Sequence, residues 1–364
     1  MKKNIKIALI VLVVLAILLV AYLIWIYFIS PGIITGSAPA ETGKGDGEIT
    51  AAELQMLSNQ LVFDYWLKGD EIYFIALNGN IYKISPSGAE EKIIDQTINN
   101  LSEVKPSADG SKVIISFGYP FQETFSIFHT ANKTWQPLPA GTAAAAWHPK
   151  NADQAAILKN NGGPSSLALY ALSDKKTKEI LKITQKDLKI DWVLPEEIYL
   201  AERSVAQVPA SVWSVNIAKK TIRPIIKEIN GLMTRWFNEG QNGLKFSSLN
   251  RGGLLEVIDK NDKTLARLPV ITMPEKCAVG ATAIYCGASP NFESAILPDD
   301  YLKGKLTTAD NLYEIPQGLF EPNFISIYRS DFENLPINIY HPKLKNNRLI
   351  FINRLDNKLY SLGL

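Results

Sequence analysis

Histidine and cysteine are scarce in this sequence. There are three histidines in 364 residues (His129, His148 and His341) and two cysteines, Cys277 and Cys286. That is too few ligands for a His/Cys metal cluster, and no close ligand pair of the structural-zinc kind occurs, so no cofactor is expected. Charge of one sign is also lacking: 38 Lys and Arg face 36 Asp and Glu, a net charge of +2. With no basic stripe interleaved with aromatics, nucleic acid is not an expected partner. No Gly-x-Ser-x-Gly elbow, phosphate-cradling loop, Gly-x-Gly-x-x-Gly turn or His-Glu-x-x-His helix is present. Long helical periodicities are nearly absent after the N-terminal region, which argues against an α/β fold.

One long hydrophobic run is present. Residues 8–29 read ALIVLVVLAILLVAYLIWIYFI, without charge, glycine or proline. At about 1.5 Å per residue the run spans roughly 33 Å, enough for a hydrocarbon core of about 30 Å. Lys2, Lys3 and Lys6 precede it, and Tyr22, Trp25 and Tyr27 gather at its far end. Basic residues stay on the cytoplasmic side and aromatics sit at the interface. The reading is a cytoplasmic N-terminus at 1–7, a single transmembrane α-helix at 8–29, a Gly/Ser/Thr/Pro-rich linker at 30–50 and an extracytoplasmic domain at 51–364. A cleaved signal peptide is the alternative, with Ala38-Pro39-Ala40 as its small-x-small site. The apolar run is longer than the usual signal core, and that site lies well beyond its end.

The remainder repeats. Glu71-Ile72-Tyr73-Phe74-Ile75, the turn Asn78-Gly79 and Asn80-Ile81-Tyr82-Lys83-Ile84 form the clearest strand pair. Equivalent pairs begin at Val113, Ala155, Ile198, Leu244, Ala283 and Leu349. An aromatic or proline step precedes most of them, as in Asp64-Tyr65-Trp66, Ile190-Asp191-Trp192, Arg235-Trp236-Phe237 and Ile339-Tyr340-His341-Pro342. Four short strands per roughly 40–45 residues is the pattern of a β-propeller blade. The expected fold class is therefore all-β, a propeller of about seven four-stranded blades. The last repeat shows three strands, while Glu53-Leu54-Gln55-Met56-Leu57-Ser58 has no repeat of its own. The N-terminal piece is expected to pair onto the last blade and cover its edge.

The Pro106-Ser107-Ala108-Asp109-Gly110 step resembles the blade start of TolB-type propellers. The order of basic terminus, anchor, linker and propeller is similar to single-pass propeller proteins of candidate-phyla bacteria. Lys276-Cys277, Ile284-Tyr285-Cys286, Leu297-Pro298-Asp299-Asp300-Tyr301-Leu302-Lys303-Gly304 and Asp310-Asn311-Leu312-Tyr313 are similar to a cysteine-pair blade of those proteins. The resemblance implies fold and placement and brings no activity.

Few residues invite chemistry. Cys277 to Cys286 reads as a hairpin folded about Ala281-Thr282, a register that sets the two cysteines opposite each other and predicts a disulfide. Asp299 and Asp300, with Tyr301, form the one acidic loop that could touch a ligand. Adjacent residues on an extended loop diverge, which makes them poor paired carboxylates. His148 and His341 precede prolines at equivalent strand ends and read as structural. The expectation is a non-enzymatic binding platform, with the membrane, another envelope protein or a cell-wall ligand as partner. The alternative is a cell-envelope hydrolase or lyase in the propeller channel, which converging His, Arg and carboxylate side chains would favour.

Overall fold

A computed structural model describes residues 53–364, apart from 161, 250–251, 291–294, 319–323 and 331–334. The described residues form seven four-stranded antiparallel sheets, each built from strands consecutive in sequence except the last. The inner strands of blades 1 to 7 are Val62–Lys68, Leu101–Pro106, Thr142–His148, Lys189–Leu194, Met233–Phe237, Cys277–Val279 and Ile339–Lys345. This is the expected seven-bladed propeller. The predicted span at residues 8–29 lies outside the described residues. Among the described residues no helix is long and apolar enough to cross a membrane.

Blades stack face to face, so a middle strand is covered on both sides. Glu71–Ala76 is buried at every position after its first. A run of buried residues replaces the half-buried alternation of a one-sided sheet. The packing crosses blade boundaries: Trp66 of blade 1 stacks on Tyr73 at 5.6 Å and meets Phe128 of blade 2 edge-on at 6.4 Å.

Turns hold the register. Between Ala76 and Asn80 the chain makes a three-residue loop rather than a two-residue turn, with the Gly79 N–H bonded to Ala76 O. Gly79 has φ +91°, and a Cβ there would lie 2.3 Å from Ile98 N. Gly110, which ends the Pro-x-x-Asp-Gly step, has φ +68° and would set a Cβ 2.1 Å from Leu67 O of blade 1. The Asp109 carboxylate accepts the Ser107 hydroxyl and the Ser111 N–H within that step. Its residue types are dictated by backbone geometry.

The ring closes as expected. Leu54–Met56 supplies the outer strand of blade 7, with Leu54 opposite Leu362, Gln55 opposite Ser361 and Met56 opposite Tyr360. The Ser58 hydroxyl accepts the Leu359 N–H, and the Leu57 N–H reaches Leu359 O.

Candidate functional site

The inner strands have no partner on their channel side, so their edge carbonyls need donors from elsewhere. Cations of the preceding blade supply several of them. Lys105 of blade 2 donates to Ala145 O of blade 3 at 3.1 Å and reaches Ile190 O of blade 4 at 3.4 Å. Arg235 of blade 5 donates to Cys277 O of blade 6, and Lys343 of blade 7 donates to Tyr65 O of blade 1 at 2.7 Å. Lys105 also pairs with Glu103 at 2.9 Å. These side chains are enclosed by protein yet only part-buried, as the walls of a solvent-filled channel would be.

One cluster of polar side chains lies where blades 7 and 1 meet. The strand pairing of Ile339–Lys345 breaks between Tyr340 and Lys343, and His341 in that bulge has φ +48° immediately before Pro342. A β-bulge re-aims a side chain, and a non-glycine residue in the left-handed region carries strain. The bulge turns His341 toward Asp64, with Nδ1 3.1 Å from Oδ2. It also unpairs backbone carbonyls. The buried Tyr65 hydroxyl lies 2.8 Å from His341 O and 2.6 Å from Ile350 O and donates to them. The Asp64 carboxylate accepts the Tyr65 N–H as well, at 2.8 Å.

Rings and guanidinium extend the cluster. Tyr340 stacks on His341 with centroids 3.8 Å apart. Arg354 lies 4.9 Å from the ring centres of both Tyr340 and Tyr301. Such a stacked guanidinium is held flat, with a donor fork suited to carboxylates.

The electrostatics follow from enclosure. Burial would raise the Asp64 carboxyl, but His341 and Lys343 beside it hold it below the usual carboxylate range. Burial pushes the Lys343 ammonium down to about 8 against the opposing pull of Asp64. Burial, with Asp64 adding to it, raises the Tyr65 hydroxyl well above the ordinary tyrosine value. At the blade 2–4 side, burial raises the Asp191 carboxyl, with Lys105 opposing. The result is an ionised Asp64 beside His341 and a lysine that gives up its proton more readily than an exposed one.

Of the residues singled out from sequence, His341 lies in this cluster and Tyr301 borders it through Arg354, while the cysteines and the two aspartates fall elsewhere. Cys277 and Cys286 are directly opposed across a two-residue turn and form a disulfide, with Cα atoms 4.1 Å apart. Asp299 and Asp300 are not on an extended loop. They open a one-turn helix, Asp299–Leu302, where acidic residues favour the N-terminal end. Asp299 accepts the Ala206 N–H and pairs with Lys303, while Asp300 accepts the Ile296 N–H. Tyr301 is buried, its hydroxyl without a hydrogen-bond partner among the described residues and its ring against Arg354. The dyad itself was missed. Asp64 and His341 both stand in the aromatic steps that mark inner strands, and a polar residue at that position in two neighbouring blades was the available signal.

No protein-family model and no curated protein matches the sequence. Solved structures share the fold. An oligogalacturonate lyase in complex with manganese overlaps at a TM-score of 0.62, with 11% identity over 86% of this chain and 93% of its own. The oligogalacturonate lyase of Vibrio parahaemolyticus gives 0.62, with 8% identity over 86% and 94%. The propeller domain of the Trilobed protease from Pyrococcus furiosus gives 0.54, with 10% identity over 85% and 95%. At these identities the likeness concerns fold alone. It does correct one expectation: a propeller of this build is borne by lyases and proteases, so the architecture gives no ground for reading the chain as non-enzymatic. Among the described residues no three His, Cys, Asp or Glu gather to hold an ion. His129 lies against Gln136, His148 packs on Trp192 and His341 engages Asp64.

Proposed function

We propose that the chain is a membrane-tethered, extracytoplasmic propeller that receives an envelope ligand, a protein or a cell-wall saccharide, at the mouth of its central channel. The observation that carries this reading is part-exposed His341, held by buried Asp64 and set in a bulge beside the stack of Tyr340 and Arg354. Aromatic faces suit sugar rings or apolar side chains, and the guanidinium suits a carboxylate. The N-terminal lysines and apolar run support the placement.

The same dyad favours a second reading, lyase or hydrolase chemistry in the channel. Elimination next to a carboxylate needs a base to take the proton and a cation to hold the charge. His341 oriented by Asp64, or neutral Lys343, supplies the first, and Arg354 supplies the second. An oligogalacturonate is a suitable acidic-saccharide probe. It is titrated calorimetrically into the full chain in nanodiscs while ultraviolet absorbance follows unsaturated ends. Binding that His341→Ala and Arg354→Ala abolish, without product, supports the platform. Product formation supports the lyase. Neither signal removes acidic saccharides, and a membrane pull-down then tests for a protein ligand. Wild-type capture of an envelope protein that survives both substitutions would overturn the channel site.

A further inference from the structure

A second buried cluster, between blades 6 and 7, uses groups the channel site leaves aside. Lys276, Asp310 and Asn338 each stand immediately before the first residue of a strand, at Cys277, Asn311 and Ile339. All three are buried, at 3%, 0% and 3% exposure. Lys276 Nζ lies 2.7 Å and 2.8 Å from the two Asp310 carboxylate oxygens and 3.3 Å from Asn338 Oδ1. Asp310 also accepts the Ile339 N–H at 2.7 Å and the Thr308 hydroxyl at 2.9 Å. The Asn338 backbone is fixed by its N–H to Asn353 Oδ1 at 2.8 Å. Tyr301 closes the site above, its ring centre 5.9 Å from Nζ.

A buried ion pair is costly to assemble and adds little net stability. Here the carboxamide oxygen of Asn338 lies 3.3 Å from the amine, so its carboxamide carbon is at most about one bond length farther away. We propose that Lys276 and Asn338 join in an intramolecular isopeptide bond, with Asp310 as proton carrier, locking blade 6 to blade 7. The amine nitrogen attacks Asn338 Cγ, the Nζ–Cγ bond forms and the Cγ–Nδ2 bond breaks. Nζ keeps one of its three protons as the new amide N–H. The other two pass by way of the Asp310 carboxylate to the departing nitrogen, which leaves as ammonium. No oxidant or further reactant is required. Burial pushes the Lys276 ammonium below its ordinary value, with Asp310 opposing, and so favours the free amine that must attack.

The bond would close a chain segment whose ends are 62 residues apart and that already carries the Cys277–Cys286 disulfide. The test is the intact mass of the full chain, purified in detergent, reduced and denatured, followed by peptide mapping. The expected result is a chain lighter by one ammonia, with the peptide containing residue 276 joined to that containing residue 338. Lys276→Arg and Asp310→Ala should restore the full mass. Asn338→Asp should still link, losing water instead. Recovery of wild-type linear peptides with free Lys276 and intact Asn338 would overturn the bond. So would an ammonia loss confined to the residue 338 peptide that persists in Lys276→Arg, because that marks a succinimide. Wild-type mass together with the wild-type peptide map decides between link, succinimide and ion pair, whatever the stability of the variants.

Discussion

Tyr65 holds the bulge that aims His341. Its single O–H proton is shared between the carbonyls of His341 and Ile350. Tyr65→Phe keeps the ring and removes the donor, leaving buried acceptors unserved. The expected cost is about 1–3 kcal/mol, read from the denaturant midpoint, with weaker ligand binding as His341 loses its fixed position. An unchanged midpoint would mean that the bulge stands without it. Lys343 gives a pH signature. Its ammonium titrates near 8 when folded against an ordinary 10.5. Between those values the unfolded chain binds more protons, so this group makes stability rise with pH, and its penalty is fully present below 8. The effect of Lys343→Met on stability should therefore be most favourable at pH 7 and progressively less so toward pH 10.5. Parallel stability curves for mutant and parent would contradict the assignment.

At the scale of elements, hairpins were legible and the site was not. The Cys277–Cys286 register followed from counting outward from a two-residue turn, a local rule that needs no tertiary information. The dyad joins residues 277 positions apart. The direction of His341 depends on a left-handed backbone before proline that no propensity predicts. The acidic helix at Asp299 was missed because a single turn is too short to show a period. Two element-level outcomes are expected. The native chain should show no free thiol before reduction and two after it, and Cys277→Ala with Cys286→Ala should cost about 2–3 kcal/mol for so short a loop. Deleting residues 48–58 should expose the edge strand Lys358–Gly363, lower the melting temperature by several degrees and promote aggregation. Deleting 30–46 should change neither, and equal melting of the two truncations would show that Leu54–Met56 does not close the ring.

At the scale of the whole molecule, the blade number was readable because each blade repeats one pattern of apolar spacing. The channel was not, because its polar side chains, among them Asp64, Lys105, Arg235 and Lys343, come from inner strands far apart in sequence. Placement across a membrane has its own test: with an N-in, C-out chain, a C-terminal alkaline phosphatase fusion is active and a C-terminal fluorescent fusion dark. The reverse pattern would reject the tether reading. The closing strand also has a mechanical meaning. It is joined to the ring by three residue pairs, whereas the neighbouring strands Arg348–Asn353 and Lys358–Gly363 share six. Any tension arriving along the chain ahead of Leu54 meets the Leu54–Leu362 pair first and then its two neighbours in turn. The ring therefore yields at this seam before a blade unravels, which makes this three-residue strand its fuse under load.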